Sequence, residues 1–215
     1  MTTAPGRPRT PAARDRILAA AAELFSRHGV RGVGVDTVIA RSGVAKATLY
    51  HHFASKDELV LAYLAGADRA WRDKLTGAAR RAGDAPERQL VGAFDALREA
   101  CGRDGYRGCA FINTAAESTP GSPVHAATVA HKQAVRDWFA DLAGRAGLAD
   151  PTGVAVALGV LLDGGLAGTA MQGDPTIAEY TQQAARQLIA TAARRAPDGP
   201  VPDAGRDDGD VGGAP

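Results

Sequence analysis

The segment SGVAKATLYHHFASKDELV, residues 42–60, holds one glycine, two lysines, one tyrosine and two adjacent histidines. Ala45, Leu49 and Phe53 recur every four residues, so on a helix they share one face. Gly43 separates this stretch from a shorter apolar one before it, which is the spacing of a helix-turn-helix. The segment therefore predicts a short helix with one buried face and one outward face.

The outward face of this predicted helix carries hydrogen-bond donors around a small side chain. A recognition helix lies in the DNA major groove with its early residues at the base edges, and a small residue allows close approach to a thymine methyl group. Lys56, at the start of the next helix, is placed to meet a phosphate. The residues that this geometry predicts to meet DNA are Lys46, Ala47, Thr48, Tyr50, His51 and Lys56, with His52 on the flank of the helix.

The adjacent histidines His51 and His52 allow two other interpretations of this helix, a metal site and a catalytic site. Neighbouring residues on a helix point about 100° apart, whereas a zinc pair on a helix needs i, i+4 spacing. No further His or Cys lies within that reach. General acid–base catalysis needs a pocket and a partner. We therefore expect no metal, no cofactor and no catalytic residue here, which leaves a merely solvated helix as the alternative.

The longer stretch GVGVDTVIARSGVAKATLYHHFASKDELV resembles the DNA-binding domain of the TetR family of bacterial transcription regulators, with the likeness running over residues 14–64. The resemblance implies an all-α homodimer with an N-terminal three-helix DNA-binding domain. It also implies a C-terminal domain that holds a small-molecule pocket and the dimer interface. The matching positions are Gly43, Val44, Thr48, Leu49, Tyr50, His52, Phe53 and Lys56.

The resemblance also assigns roles on the recognition helix. It implies phosphate contacts for Tyr50 and His52, and positions nearer the bases for Lys46, Ala47 and His51. One departure concerns the start of the second helix, where many members have Thr-Thr and this chain has Val33-Gly34. A phosphate contact from that cap is therefore not expected. Asp36 or Thr37 is the alternative contact at this place, although Asp36 would repel a phosphate.

The charges are unevenly distributed along the chain, which indicates a weakly basic N-terminal head over residues 1–60. The chain has 215 residues and a net charge of +1, yet residues 1–60 hold nine Lys/Arg against five Asp/Glu, a charge of +4.

Cys101 and Cys109 form neither a disulfide framework nor a metal pair. No signal peptide or uninterrupted membrane span is visible, because Asp163 divides the longest apolar stretch. We expect a cytoplasmic bacterial protein.

Helical periodicity, with breaks at Gly, Pro and Asp clusters, predicts nine helices and no strand. They are residues 12–28, 35–42, 45–53, 55–81, 86–101, 108–118, 123–145, 151–172 and 175–195. Ser55 and Glu58 form a capping-box pattern at the start of the fourth, long helix. The predicted domains are a flexible arm (1–11), a helix-turn-helix DNA-binding domain (12–54), a ligand-binding and dimerisation domain (55–196) and a disordered acidic tail (197–215).

The C-terminal half predicts a pocket and an interface with less detail. Pocket candidates are Phe94, Leu97, Phe111, Asn113, Glu117, Trp138, Asp163 and Met171, and core packing is an equal alternative for each. The last two helices, rich in glycine and alanine, resemble half of a four-helix dimer interface. The sequence thus favours a homodimeric repressor that binds palindromic operator DNA and is released by a small-molecule effector, with no membrane partner. Alternatives are a redox regulator using Cys101 and Cys109, or an α-helical enzyme or carrier.

Overall fold

The computed structural model describes residues 12–192 and residue 194, which form nine helices with no strand among them. The predicted arm (1–11) and tail (197–215) lie outside the described residues. This architecture confirms the all-α prediction. The helices are α1 (Ala13–Gly32), α2 (Val35–Ser42), α3 (Lys46–His52), α4 (Lys56–Arg81), α5 (Pro86–Cys101), α6 (Ala110–Glu117), α7 (Pro123–Arg145), α8 (Pro151–Gln172) and α9 (Thr176–Thr191).

Local side-chain chemistry accounts for where several helices begin. The Oγ of Ser55 accepts a hydrogen bond from the backbone N–H of Glu58 at 3.1 Å, and the Glu58 carboxylate accepts one from the N–H of Ala54 at 2.8 Å. The first bond is that of the predicted capping box at the start of α4, whereas the Glu58 carboxylate reaches the N–H of Ala54, one residue before the N-cap, instead of that of Ser55. Ser122 and Asp150 cap α7 and α8 in the same way, each accepting from the N–H three residues later.

Three helix boundaries differ from the predicted ones by more than one residue. Helix α1 runs past residue 28, but Gly29 breaks it with φ of 74°, a left-handed conformation that favours glycine. Helix α6 begins at Ala110 because Gly108, with φ of 91°, cannot continue a right-handed helix. Helix α9 ends at Thr191, after which Arg194 forms an isolated backbone bridge with Leu148.

The buried apolar side chains form two clusters. The head cluster combines residues of α1, α2 and α3 with Leu59, Val60 and Leu64 of α4, Phe111 of α6 and Val124 of α7. The body cluster joins the C-terminal half of α4 with α5, α7, α8 and α9. Helix α4, 26 residues long, contributes to both clusters, so it is the main rigid connection between head and body.

Helix α8, Pro151–Gln172, is the one helix in residues 12–192 that is long and apolar enough to cross a membrane by length and composition. One face packs inside the protein through Ala155, Leu158, Leu162 and Leu166. The core helix of a helical bundle meets the same criterion. The apolar character of α8 is therefore accounted for in part by its packing against α7 and α9.

Candidate nucleic-acid interface and internal cavity

Helix α3 follows α2 through a tight turn at Gly43, whose φ of 65° is left-handed and whose N–H bonds to the carbonyl of Ile39. Leu49 and Phe53 lie on the inner face of α3 with 1% and 3% exposure, as the spacing predicts, whereas Ala45, the third residue of that series, is exposed at the N-cap. The guanidinium of Arg14 in α1 lies 5.3 Å from the centroid of the Phe53 ring. Two apolar anchors thus hold a seven-residue helix that is too short to be stable alone.

The opposite face of α3 is open to solvent. Lys46, Ala47, Tyr50 and His51 are exposed, while Thr48 and His52 beside them, and Lys56 on α4, are partly exposed. We call the seven residues Lys46, Ala47, Thr48, Tyr50, His51, His52 and Lys56 the recognition surface. This face offers two ammonium groups, a phenol and imidazoles on one convex edge, which is suitable chemistry for phosphates and base edges.

Two contacts modify this surface. The Nζ atom of Lys46 forms an ion pair with Asp36 Oδ1 of α2 at 3.3 Å, and both side chains are largely exposed. The rings of His51 and His52 meet edge to face with their centroids 5.3 Å apart. No cluster of three or more His, Cys, Asp or Glu side chains able to hold a metal occurs in the described part of the chain.

A cavity of about 250 Å³ lies between α4, α5, α6 and α8. We call it the cationic cavity, because Lys74 of α4 and Arg103 of the α5–α6 segment both line it. Neither cation forms an ion pair with a carboxylate of the described residues. Its other main lining groups are Trp71, Tyr106, Cys109, Phe111 and Leu166.

The environment of Lys74 is unfavourable for its charge. Burial lowers the pKa of Lys74, the nearby Arg103 lowers it further, and the carboxylate of Glu99 partly offsets both effects. Glu99 is itself bonded to Arg81 at 2.6 Å. Two positive side chains, the half-buried Lys74 and the exposed Arg103, therefore line one largely apolar cavity.

The predicted pocket residues lie in several different places. Phe111 lines the cationic cavity, whereas Phe94 and Leu97 are fully buried in the body cluster. Trp138 lines a separate groove between α4 and α7, and Asp163 forms an ion pair with Lys132. Met171 is 81% exposed on α8. Asn113 and Glu117 line a groove between α6 and the head.

Glu117 makes a contact that sequence reasoning did not anticipate. Its Oε2 accepts a hydrogen bond from the backbone N–H of Arg31 at 2.7 Å, just after the break in α1. A side chain added at Gly29 would overlap this carboxylate. Glu117 therefore joins the end of α6 to the head. No sequence signal links the two, because they lie 86 residues apart.

His131 of α7 is a buried polar residue that the predicted set does not include. Its Nδ1 lies 2.7 Å from Asp68 Oδ1, and the other carboxylate oxygen of Asp68 lies 2.7 Å from Arg72. The ring stacks on Phe111 with centroids 3.5 Å apart. Burial lowers the pKa of His131, and the hydrogen bond to Asp68 opposes that shift. The Nε2 atom has no partner among the described residues.

The two thiols differ in exposure. Cys101 is buried and Cys109 is half-buried, and both are free. Cys109 Sγ lies 3.6 Å from the ammonium group of Lys132. Tyr106 lies near both cysteines, and its hydroxyl donates a hydrogen bond to the carbonyl of Leu166 at 3.1 Å.

A short exposed helix, anchored by two apolar residues after a glycine turn, defines a helix-turn-helix DNA-binding protein. The sequence profile of bacterial regulatory proteins of the tetR family matches residues 17–63. The crystal structure of SCO4454, a TetR-family transcriptional regulator from Streptomyces coelicolor, is 35% identical with a TM-score of 0.79. That likeness covers 85% of this chain and 96% of SCO4454. The chain belongs to the TetR family of transcription regulators.

Curated relatives match over shorter lengths. The HTH-type transcriptional repressor KstR2 of Mycolicibacterium smegmatis is 35% identical over 101 residues, which is 45% of this chain and 47% of KstR2. The HTH-type transcriptional activator FasR of the same organism is 47% identical over 51 residues, or 24% of this chain and 23% of FasR. The chain thus spans less than half the length of these curated relatives. One is a repressor and the other an activator.

Proposed function

We propose that this protein is a homodimeric repressor that binds a palindromic operator and is released by a small-molecule effector. The observation that carries the proposal is the recognition surface, whose polar side chains point outward from the anchors Leu49 and Phe53. A dimer would place two copies of α3 in successive major grooves, about 34–36 Å apart. We propose the predicted division into a DNA-binding head and a ligand-binding, dimerising body, with the start of α4 and parts of α6 and α7 packed into the head cluster.

Within the recognition surface, the residues divide into two roles. Tyr50, His52 and Lys56 are proposed phosphate contacts, which position α3 without reading sequence. Lys46, Ala47 and His51 lie nearer the bases, with Thr48 beside them. Lys46 also pairs with Asp36, so DNA competes with that carboxylate for the lysine. Gly34 caps α2 without any side-chain bond, so a hydroxyl contact to a phosphate at the start of α2 would have to come from the exposed Thr37.

The proposed dimer interface follows an apolar stripe along the solvent side of α8. Its exposed members recur every three to four residues and include no charge: Val156, Val160, Gly164, Ala167 and Met171. Val160 is 67% exposed and Met171 81%, and Tyr180 of α9 is 68% exposed. Such a stripe on a soluble protein marks an interaction surface. A second copy of α8 and α9 would cover it as a four-helix bundle.

The glycines of α8 contribute differently from one another. Gly165 packs against Leu97 and Thr181, and Gly168 packs against Ile177, all within the same subunit. A side chain at Gly164 would meet only open space among the described residues. Gly164 is therefore the glycine at which a partner backbone could come close.

The effector would act through the body and α4. A ligand in the cationic cavity contacts the second half of α4 and the start of α6, and both helices reach the head. A coupling free energy of about 1–3 kcal/mol would change operator affinity roughly 5- to 150-fold. This range is sufficient for release of a repressor.

Gel shift with the DNA upstream of the protein's own gene tests the proposal. We expect a retarded complex at low salt whose operator has two-fold symmetry. The double variant Lys46→Ala/Tyr50→Ala should lose the complex, whereas Arg145→Ala, an exposed change in the body, should keep it. Absence of any complex at low salt would refute DNA binding at this region. Transcription that falls when the gene is deleted would replace repressor by activator.

The alternatives from the sequence remain predictions. A redox regulator is tested by Cys101→Ser: oxidant-dependent release of DNA that persists in this variant would exclude a Cys101–Cys109 pair. An enzyme or carrier would show turnover or tight ligand binding without any effect on DNA.

A further inference from the structure

The two cations of the cationic cavity are not compensated by the protein. Lys74 and Arg103 both line it, and neither forms an ion pair in the described part of the chain. The one carboxylate that attracts Lys74 at longer range, Glu99, is bonded to Arg81. Lys74 is half-buried and Arg103 is exposed, and neither is held by a carboxylate of the described residues, so both can turn to a ligand. An anion that binds between them would gain from two positive charges at the edge of an apolar surface.

The remaining walls of the cavity favour an apolar body on that anion. Trp71 of α4, Phe111 of α6 and Leu166 of α8 supply aromatic and aliphatic surface. At about 250 Å³ the cavity is slightly smaller than the ~300–1,000 Å³ of common ligand sites. A large molecule would not fit this volume, and the apolar walls match an apolar group better than a polar one.

We propose that the cationic cavity binds a small amphipathic organic acid, with its carboxylate between Lys74 and Arg103 and its apolar part against Trp71 and Phe111. This inference rests on the proposed function in one respect, since it makes such an acid the effector. Arginine and lysine give short, charge-assisted hydrogen bonds to a carboxylate, which are stronger than bonds between neutral groups. Charge would thus supply selectivity and the aromatic walls would supply affinity.

The location suits an effector because α6 spans the distance from cavity to head. Phe111 at its start lines the cavity, and Glu117 at its end accepts the bond from the Arg31 N–H. A ligand that displaces Phe111 also disturbs its stacking on His131. Movement of this eight-residue helix would therefore change the contact with α1.

The test uses three probes that share a phenyl ring and a three-carbon chain: 3-phenylpropionate, 3-phenylpropan-1-ol and 3-phenylpropylamine. Binding to the full-length protein is followed by calorimetry and by the fluorescence of Trp71, with Trp138→Phe as the background. We expect the acid to bind at least ~10-fold more tightly than the alcohol, about the effect of one charge-assisted hydrogen bond. The amine should bind most weakly.

Variants assign the preference to the two cations. Lys74→Met and Arg103→Gln should each weaken the acid about 10-fold and leave the alcohol unchanged, while Lys74→Arg should retain acid binding. Arg145→Gln removes a remote positive charge and should change nothing. Circular dichroism confirms that each variant is folded. Equal binding of acid and alcohol, or an acid affinity unchanged in both charge-removing variants, would overturn the proposal.

A gel shift with the same acid separates this inference from the proposed function. If the acid fails to bind while the operator complex forms normally, the anion site is wrong and the regulator is unaffected. If the acid binds with the expected dependence on Lys74 and Arg103 but leaves the operator complex intact, the anion site stands and its role as effector site fails.

Discussion

The recognition surface and the cationic cavity are built in opposite ways. The recognition surface comes from seven of the eleven positions 46–56, and six of these seven residues lie on α3, where helical spacing predicts their outward direction. The cavity is assembled from α4, α5, α6 and α8, so its lining residues span positions 67–166. A site on one short helix can be read from sequence, whereas a site between four helices depends on how those helices pack.

The largest expected effect tests whether DNA binding by the recognition surface depends on the pairing of two bodies. Val160→Glu places a charge in the proposed α8 stripe, where two copies would meet. We expect a monomer by light scattering and a loss of at least ~100-fold in operator affinity, because one head alone loses the gain of linked binding. Val129→Glu, at an exposed valine of α7, is the matched control and should stay dimeric.

The next largest effect tests how much the junction between Gly29 of α1 and Glu117 of α6 contributes to the stability of the protein. Gly29→Ala forces an alanine into a left-handed conformation, at a cost of about 1–2 kcal/mol, and pushes against Glu117. Urea unfolding should show at least this loss in the free energy of unfolding. Gly32→Ala, whose added carbon meets open space, should be close to neutral. Equal stability of the two variants would show that the α1–α6 contact does not matter.

The stability of the protein should depend on pH through the buried His131 and not through the exposed His28. The pKa of His131 lies below its ordinary 6.5, so the unfolded chain takes up a proton more readily than the folded protein. Stability from this group is present above pH 6.5 and is lost as the pH falls through the folded-state pKa, by up to ~1.4 kcal/mol per pH unit. Chemical unfolding of His131→Gln between pH 5 and 8 should lack this loss, while His28→Gln, at an exposed histidine, should retain it.

A smaller effect concerns the recognition surface itself. Lys56→Ala should weaken binding to all DNA sequences alike and reduce the slope of log affinity against log salt by about one unit. Fluorescence anisotropy at several salt concentrations measures both quantities. An unchanged slope would remove Lys56 from the phosphate contacts, and Arg145→Ala provides the reference for loss of a remote cation.

The smallest expected effect has the opposite sign. Asp36→Asn removes the carboxylate that pairs with Lys46, which frees the lysine and removes a charge that repels phosphate. We expect operator affinity to rise by up to about 5-fold, the range of an exposed ion pair. Asp141→Asn breaks a similar exposed pair with Arg145 in the body and should not alter affinity.

Much of the fold could be predicted from the sequence, because Gly, Pro and capping residues mark the helix boundaries. Ser55 with Glu58, and Gly43, lie where those patterns place them. The residues that line a pocket were harder to predict, because a polar residue in a helical sequence does not show which neighbouring helix its side chain contacts. Asp163 meets Lys132, and Glu117 meets the head. Lys74 and Arg103 gave no signal at all, because isolated cations normally lie in solvent.

The buried cluster beneath the head has a consequence for engineering. Phe111 and Val124 belong to it although they lie far beyond the end of α3, and Glu117 bonds to Arg31 across the same junction. A hybrid regulator made by grafting residues 12–54 onto another protein's body would lack these partners. The head packs as one piece with the start of α4, helix α6 and the first turns of α7. To exchange DNA specificity between relatives, it is therefore simpler to substitute the exposed residues of the recognition surface than to transfer the head as a domain.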